Sequence, residues 1–276
     1  MVLAARRWPV AWSWVGGPPD GGRREVSADY NRLMADTQAL RFGSLTLDGF
    51  VEQLASSAPI PGGGSAAAVA GALAAGLVAM VAGLSADRLS YVQFAATHLR
   101  AGGAGRALAA HLLDLADEDA AAYGAFAGAM KLPRATDEEK ATRTAAIRAA
   151  AVTASDVPLR TLEACRDVVV ASEALAGRSN RNAASDLAVA SRLAEAAAHG
   201  AAENVMVNLP ALGNEDRADE LRGRVAALLA EVGDHAESTR AFVELGELRD
   251  PEPEPRPDRP ADPQADSHAD REPRSA

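Results

Sequence analysis

The sequence predicts an all-α fold, a compact multi-helix bundle built from long alanine-rich helices. Hydrophobic residues make up 48% of the 276 residues, whereas aromatic residues make up only 4%. Alanine therefore carries much of the apolar content, and alanine is the strongest helix former. The apolar residues also recur at helical spacing between clear loop and capping signals. These observations favour packed helices over sheets.

The helical region covers residues 44–246 and is divided by glycine, proline and capping signals. Thr46 is a candidate N-cap for a first helix. The proline- and glycine-rich segment 58–64 predicts a loop, and Ser65 opens a second, uncharged helix. A third helix is predicted from about 90; it falters at Gly102-Gly103 and resumes to 131. A capping box at Thr136 and Glu139 opens a fourth helix, and a kink or a break is predicted just before Pro158, with a fifth helix over 157–176. The remaining predicted elements are a turn over 177–182, a sixth helix over 183–199, a short helix over 201–209 and a last helix over 214–246.

Two flanking segments are predicted to be disordered. Residues 1–43 hold all three tryptophans but lack an apolar period, so they are interpreted as an N-terminal extension, and Met34 is a possible alternative start. Residues 247–276 are rich in proline and charge. Such a segment cannot bury enough apolar surface to offset the entropy that ordering costs.

Composition argues against several function classes. The formal net charge is -10, and an acidic surface repels nucleic-acid backbones. Cys165 is the single cysteine and is expected to be a small core residue. The five histidines lack metal-ligand spacing, so no metal site is expected. No secretory signal is evident, which predicts a cytoplasmic protein. The uncharged helix 65–84 is long enough to span a membrane, but its alanine and glycine content favours a buried central helix.

A glycine-rich loop before the second helix is the first candidate site. It reads Pro59-Ile60-Pro61-Gly62-Gly63-Gly64-Ser65. Its glycines let the backbone approach a ligand, and the helix start presents free N–H groups that favour an anion. No lysine follows it as in a phosphate loop, and no strand precedes it as in a dinucleotide fold. A tight turn between packed helices explains the loop equally well.

An acidic helix that ends near Lys131 is the second candidate. Asp119 and Tyr123 lie four residues apart and therefore on one face. A buried acid near a lysine could exchange protons at neutral pH. The alternative is a solvated acidic face, since residues 114–118 are also rich in carboxylates.

Polar residues among apolar neighbours form the third candidate. Asn180, Ser185 and Asp186 stand at the start of the predicted sixth helix, and Asn204 and Asn208 are four residues apart. Buried asparagines need hydrogen-bond partners. They either tie buried segments together or bind a polar heterocycle, and both interpretations stay open.

These three segments, in this order, resemble the cyclodeaminase/cyclohydrolase family. That family comprises the C-terminal domain of formimidoyltransferase-cyclodeaminase and the stand-alone methenyltetrahydrofolate cyclohydrolases. The resemblance covers about residues 44–246, and its specificity lies in the ordered set. The residues that carry it are Pro59–Ser65, Met80, Asp119, Ala122-Tyr123, Met130–Pro133, Thr136–Lys140, Arg143, Val157–Leu159, Gly177, Asn180, Ser185-Asp186, Gly200-Ala201, Asn204-Val205 and Asn208-Leu209.

The resemblance implies a helical homodimer that acts on tetrahydrofolates without a further cofactor. A cyclohydrolase adds water to the methenyl carbon and gives 10-formyltetrahydrofolate, and a cyclodeaminase releases ammonia from formimidoyltetrahydrofolate. Both reactions need a proton donor or acceptor and a fixed pterin. The roles implied for this chain are catalysis by Asp119, Lys131 and Asp186, and substrate binding by Pro61, Gly62, Gly63, Gly64, Ser65, Tyr123, Asn180, Asn204 and Asn208.

The primary hypothesis is hydrolysis of 5,10-methenyltetrahydrofolate. Only about 43 residues precede the resemblance, so we expect no formimidoyltransferase domain within this sequence, which favours the hydrolysis. The alternative within enzymes is the cyclodeaminase. The alternative of another class is a non-catalytic helical dimer that binds folate or acts as a scaffold. Neither nucleic acid nor a membrane is expected as a partner.

Overall fold

The computed structural model describes residues 41–251, and within that range it contains six α-helices and no β-strand. The all-α prediction is therefore confirmed. The α-helices are α1 (Leu47–Leu54), α2 (Gly63–Ala86), α3 (Ala95–Met130), α4 (Asp137–Leu175), α5 (Ala184–Leu212) and α6 (Glu215–Leu245), and short 3₁₀ helices cover Phe42–Ser44, Leu89–Phe94 and Arg181–Ala183.

Four long helices form the centre of the fold. Helix α2 packs between α3 and α5, and α4 closes the group by packing on the same two helices. Helix α6 then covers α4 and α5. The core between them is made of alanine, leucine and valine, with Leu112, Leu115 and Leu162 fully buried. Small side chains thus bring the helices close, and the leucines fill the space that remains.

Glycines in α3 serve close packing and do not interrupt the helix. A Cβ added at Gly105 would lie 2.8 Å from both the Ala75 carbonyl oxygen and the Ala79 amide nitrogen of α2. One added at Gly102 would lie 3.1 Å from Ala82 Cβ. The prediction that the third helix falters at Gly102-Gly103 is therefore wrong, because packing against α2 outweighs the low helix propensity of glycine.

Helix α4 continues through Pro158 without a break, so the fourth and fifth helices predicted on either side of it are one helix. Proline has no N–H, which leaves the carbonyl oxygen of Ala154 without its helical partner. The Asn208 side chain of α5 donates from Nδ2 to this oxygen at 2.7 Å. A side chain of the neighbouring helix thus replaces the hydrogen bond that the proline removes.

The predicted N-caps at Thr46 and Thr136 are confirmed, whereas the predicted boundary between the sixth helix and the short helix after it is not. Thr136 and Glu139 form a reciprocal capping box at the start of α4, and Thr46 accepts from the Gly49 amide at the start of α1. The separate helices predicted over 183–199 and 201–209 are one helix, α5. Gly200 sits inside α5 where an added Cβ would lie 3.2 Å from Ala67 Cβ, so this glycine also marks a helix contact.

The helical domain extends slightly beyond the predicted limits of 44–246. Phe42 is buried, packs edge-on against Phe50 with ring centroids 5.7 Å apart, and its amide donates to Asp117. At the other end, the Arg249 amide donates to the Gly177 carbonyl at 2.8 Å. The remaining residues of the two predicted disordered segments, with the tryptophans and Met34, lie outside the described range.

Helix α2 is long and apolar enough to span a membrane by length and composition, and half of its most apolar window is buried. Its inner side meets α3, α4 and α5. On its outer side, no other described residue packs against Gly76 or Gly83, because a Cβ added at either position would meet nothing within 4 Å. We refer to this side as the outer face of α2. It consists of Ala66, Val69, Ala70, Leu73, Gly76, Leu77, Met80, Gly83, Leu84 and Asp87, all at least partly exposed.

Candidate functional site

A cavity of about 430 Å³ opens where the glycine-rich loop and the start of α2 meet α3 and α5. The sequence-predicted residues brought together here come from three separate segments of the chain. The cavity is lined by Pro59, Ile60, Gly62, Gly63, Gly64, Asp119, Ala120, Ala122, Tyr123, Phe126, Ala154, Asn204, Val207 and Asn208.

Asp119 lies against the backbone of the glycine-rich loop. A Cβ added at Gly64 would fall 2.1 Å from Asp119 Oδ1, so any side chain there would occupy the position of the carboxylate. At Gly63 the nearest atom to an added Cβ is Asn204 Nδ2, at an ordinary 3.7 Å. The loop therefore needs a glycine at position 64 to admit the carboxylate, which gives the glycine run a specific physical reason.

Ser65 positions the Asp119 carboxyl from the first turn of α2. The Ser65 hydroxyl lies 2.8 Å from Asp119 Oδ2 and 3.1 Å from the Ala116 carbonyl oxygen, and Ser65 is fully buried. A hydroxyl has one proton to donate and can also accept. With Asp119 ionised, Ser65 donates to the carboxylate. With Asp119 protonated, the acid can donate to Ser65 while Ser65 donates to Ala116.

Burial raises the pKa of the Asp119 carboxyl above its ordinary value of 3.8, although the hydrogen bonds from Ser65 act in the opposite direction. Desolvation disfavours the charged form, and it is the larger effect here. A carboxyl whose pKa is raised by burial holds a proton more readily and is better suited to accept and return one. Ser65 can hydrogen-bond to Asp119 in both its ionised and its protonated form, which supports a role for Asp119 in proton transfer.

The other carboxylates of α3 do not enter the cavity. Asp114 and Asp117 pair with Arg41, and Glu118 pairs with Arg160 at 2.5 Å. The alternative of a solvated acidic face thus describes these three residues. Asp119 differs from them because it points to the opposite side, towards α2.

Asn204 and Asn208 line the cavity from α5 and are fixed by backbone carbonyls. Asn204 Nδ2 donates to the Gly200 carbonyl at 2.8 Å. Asn208 Nδ2 donates to the carbonyls of Asn204, at 2.8 Å, and Ala154, at 2.7 Å. Of the two interpretations that the sequence left open, the tying together of segments is therefore realised by Asn208. The same two side chains also lie at the cavity wall.

Apolar side chains form the remaining walls. Tyr123 and Phe126 lie on the cavity side of α3, and Val207 lies at the rim on α5. Tyr123 is 45% exposed and Val207 is 69% exposed, so both stand at the opening. The sequence reasoning missed Phe126 and Val207, although each lies three residues after a predicted site residue, Tyr123 and Asn204 respectively, and therefore on the same helix face. Pro61 is buried behind the lining.

Lys131 lies away from Asp119. It caps the C-terminus of α3 and is exposed. Twelve residues of helix separate it from Asp119, which corresponds to about 18 Å along the axis. Partial burial lowers the pKa of the Lys131 ammonium group. The structure therefore does not bring the predicted acid and lysine into contact.

Asn180 and Asp186 lie at the opposite end of the helices from the cavity. The Asn180 amide donates to Ser85 Oγ, near the C-terminus of α2. Ser85 is twenty residues from Ser65, or about 30 Å along the helix. Asp186 stands in the first turn of α5, about 27 Å from Asn204 by the same measure. Within one chain, these two predicted residues do not share the cavity with Asp119.

No cluster of three or more histidine, cysteine or acidic residues suited to hold a metal ion occurs within residues 41–251. Cys165 is buried next to Gly71, and burial raises the pKa of its thiol to about 12. Such a thiol remains protonated and unreactive at neutral pH. The chemistry available in the cavity is therefore proton transfer by a carboxyl group between polar amides and apolar walls.

Comparison with known proteins identifies relatives of this chain. The family model described as Formiminotransferase-cyclodeaminase matches residues 46–227. A methenyltetrahydrofolate cyclohydrolase of Methylorubrum extorquens is 41% identical over 191 residues, which cover 69% of this chain and 92% of that protein. The formimidoyltransferase-cyclodeaminase of Rattus norvegicus is 34% identical over 203 residues, which cover 74% of this chain but only 37% of that longer protein.

A solved structure agrees with these relationships. The formiminotetrahydrofolate cyclodeaminase of Thermotoga maritima superimposes with a TM-score of 0.67 at 26% sequence identity, covering 73% of this chain and 97% of that one. This chain therefore belongs to the formiminotransferase-cyclodeaminase family.

Proposed function

We propose that this protein hydrolyses 5,10-methenyltetrahydrofolate to 10-formyltetrahydrofolate. The observation that carries the proposal is the buried Asp119 carboxyl, held by Ser65 and Gly64 in a cavity with amide and aromatic walls. The 41% identity to a protein named methenyltetrahydrofolate cyclohydrolase supports this substrate. The methenyl bridge carries a delocalised positive charge, so a carboxylate also attracts the reacting part of the substrate.

The reaction requires only water and proton transfer. Water attacks the bridging carbon between N5 and N10, and Asp119 takes a proton from it as general base. The resulting tetrahedral carbon then loses its bond to N5, and Asp119 returns the proton to that nitrogen. The formyl group remains on N10, and one proton is released overall. No electron is transferred, and we propose that no cofactor takes part.

The remaining predicted roles are proposals for the same site. Asn204 can offer a donor and an acceptor to the edge of a pterin, Asn208 can offer an acceptor through Oδ1, and Tyr123 with Phe126 offers apolar contact. Lys131 lies beyond the cavity, so a catalytic role would require the substrate or the loop after α3 to bring it closer. The Lys131→Met variant tests this role by its effect on turnover.

Cyclodeamination of formimidoyltetrahydrofolate is the second candidate. The structural likeness to the Thermotoga maritima protein, named a cyclodeaminase, favours it. That protein is matched over 97% of its length, so a chain of this size is compatible with either reaction. Both reactions pass through a tetrahedral carbon between N5 and N10, and Asp119 would serve both.

The decisive experiment follows the loss of methenyltetrahydrofolate absorbance when purified protein is added, against the uncatalysed rate. Acceleration by the wild type and a loss of about 100-fold in the Asp119→Asn variant are expected if Asp119 is the general base. No acceleration with this substrate, but ammonia release from formimidoyltetrahydrofolate, would support the cyclodeaminase instead. Folate binding without turnover of either substrate would support the non-catalytic dimer.

We also propose that the protein is a cytoplasmic homodimer and that a second copy covers the outer face of α2. This face is apolar along its length and ends at Asp87, and it continues onto exposed Leu89, Val92 and Leu99. Burial of such a patch against a second copy stabilises a dimer. Sedimentation measurements and cell fractionation test both points, since a monomer or a membrane-bound protein would contradict them.

A further inference from the structure

The cavity lacks a group that a folate substrate needs. Among the described residues, none that lines the cavity is lysine, arginine or histidine. Tetrahydrofolates carry two carboxylates on their glutamate tail, and the protein surface as a whole is acidic. Binding such a tail calls for a local cation. The cavity of one chain therefore provides contacts for the pterin end of the substrate but no ion-pair partner for the other end.

The outer face of α2 has the spacing of a helix–helix seam. Ala66, Ala70, Leu73, Leu77, Met80, Leu84 and Asp87 follow one another at alternating intervals of four and three residues. This spacing is typical of helices that cross at about 20° and stay close over several turns. Gly76 and Gly83 leave open space beside the seam, which permits close approach.

Charge favours an antiparallel arrangement of two such helices. A parallel pair would place two Asp87 carboxylates side by side and would align the helix dipoles. An antiparallel pair instead places Asp87 near the N-terminus of the other α2, where free N–H groups favour an anion. The middle of the seam lies at Gly76 and Leu77. A two-fold axis there brings Ala66 opposite Asp87 of the partner subunit.

This arrangement places Arg88 of the partner subunit beside the glycine-rich loop. The ends of α2 lie about 15 Å from its middle, so a 20° crossing displaces them sideways by only about 5 Å, in addition to the distance of about 8–10 Å between packed helix axes. Arg88 follows the last residue of the seam, is exposed, and its Nε donates to the Leu84 carbonyl at 3.0 Å. The side chain therefore lies at the C-terminal end of the seam and is accessible there.

We infer that each cavity is completed by the other copy, with Arg88 of the partner subunit binding the glutamate carboxylates of the substrate. The inference rests on the proposed function for its ligand and on the antiparallel seam for its geometry. It also gives the far end of the fold a role in the site, since Asn180 and Asp186 lie at the same end of α2 as Arg88.

Crosslinking tests the geometry without any turnover. Ala66→Cys and Asp87→Cys are made as separate variants. Each variant alone, and the two co-expressed in the same cells, are then treated with a short bismaleimide crosslinker. Cys165 is buried and should not interfere. Crosslinked dimer from the co-expressed pair, and little from either variant alone, is expected. Crosslinking of either variant with itself, or none in the pair, would overturn the antiparallel seam.

Complementation tests the shared site. Asp119→Asn and Arg88→Ala chains carrying different affinity tags are co-expressed, and the heterodimer is purified. One of its two cavities then combines an intact Asp119 with an intact arginine from the other subunit. At low substrate we expect about half of the wild-type activity, well above that of either variant homodimer. Activity no higher than the mean of the two homodimers would overturn the inference.

The substrate itself supplies the last control. Arg88→Ala is expected to raise KM about tenfold with kcat unchanged, because the tail is bound equally in ground and transition states. Arg88→Lys should restore much of the loss. With an analogue in which a neutral methylamide replaces the glutamate, so that no carboxylate remains at that end, the variant and the wild type should be alike. Wild-type inactivity would count against the proposed function alone, whereas an equal KM effect with both substrates would count against the role of Arg88.

Discussion

Residue-level geometry explains why the glycine run contains one position that tolerates no side chain. Gly64 lies directly against Asp119, whereas Gly63 has room beside Asn204. Three adjacent glycines look equivalent in the sequence, and their difference arises only from the helix that packs across the loop. The sequence therefore predicted a close backbone approach but could not say at which glycine, or to which group, the approach occurs.

Alanine substitutions separate these two glycines. We expect Gly64→Ala to lower kcat/KM by about 100-fold, since the methyl group displaces the carboxylate and a small misplacement of a catalytic group has effects of this size. Gly63→Ala should change kcat/KM less than about threefold, because its methyl group meets only ordinary contacts. Steady-state kinetics with folded variants checks this, and equal losses in both would contradict it.

Asp119 should make the folded protein less stable at neutral pH than an uncharged residue would. Its pKa is raised in the folded state, so a protonated Asp119 favours the folded form. This contribution to the free energy of unfolding is lost as pH rises from 3.8 to the raised pKa, because the folded protein must then bury a charged carboxylate. We therefore expect Asp119→Asn to increase the free energy of unfolding at pH 7.

The pH dependence of this difference provides the control. The gain in Asp119→Asn should shrink as pH falls from the raised folded-state pKa towards 3.8, and it should be absent below about 3.8, where the carboxyl is protonated in both states. Urea unfolding of both proteins across this range measures it. A variant that is less stable than the wild type at pH 7 would show that the carboxylate is not a cost to the fold.

Element-level packing decided where the sequence predictions succeeded. Caps at Thr46 and Thr136 are local, so the sequence reveals them. The predicted interruptions at Gly102 and Pro158 failed because a neighbouring helix supplies what the local sequence lacks. For Gly102 that is close contact with α2, and for Pro158 it is the hydrogen bond from Asn208. Neither neighbour can be known before the helices are placed in space.

The pair Pro158 and Asn208 can be tested by a double-mutant cycle. Asn208→Ala should destabilise the fold by about 1–3 kcal/mol, because it leaves the buried Ala154 carbonyl without a partner. In a Pro158→Ala background the new amide can bond that carbonyl, so the same change should have a smaller effect. Denaturant unfolding of the four proteins gives the coupling. If the effects of the two substitutions are strictly additive, the hydrogen bond from Asn208 to the Ala154 carbonyl does not compensate for Pro158.

At the scale of the whole molecule, the residues that resemble the family are divided between two ends of a bundle about 30 Å long. The sequence order shows that these residues occur together, but it gives no distance between them. Gly62 to Gly64, Asp119 and Asn204 meet in one cavity, whereas Asn180 lies at the far end. Helix direction and packing order, which long-range contacts determine, separate the two groups.

The C-terminal end of the described chain also holds the bundle together. The Arg249 guanidinium donates to the carbonyls of Glu173 and Ala176 at the end of α4 and lies 3.8 Å over the Phe242 ring. We expect Arg249→Ala to lower the free energy of unfolding by about 1 kcal/mol, since helix-end carbonyls lose a cationic donor. Arg217→Ala, which removes an exposed ion pair, should change it by less than about 0.5 kcal/mol. Equal effects would argue against the capping role.

The hydrogen bond between Asn208 and the carbonyl beside Pro158 has a consequence for how this sequence can change over time. The dependence runs in one direction, since the proline without asparagine leaves a buried carbonyl unpaired, whereas the asparagine also lines the cavity and bonds the Asn204 carbonyl. The proline should therefore persist during descent only where the asparagine is kept. In an alignment of family members, chains that lack the asparagine at the second position should lack the proline at the first far more often than chains that keep it.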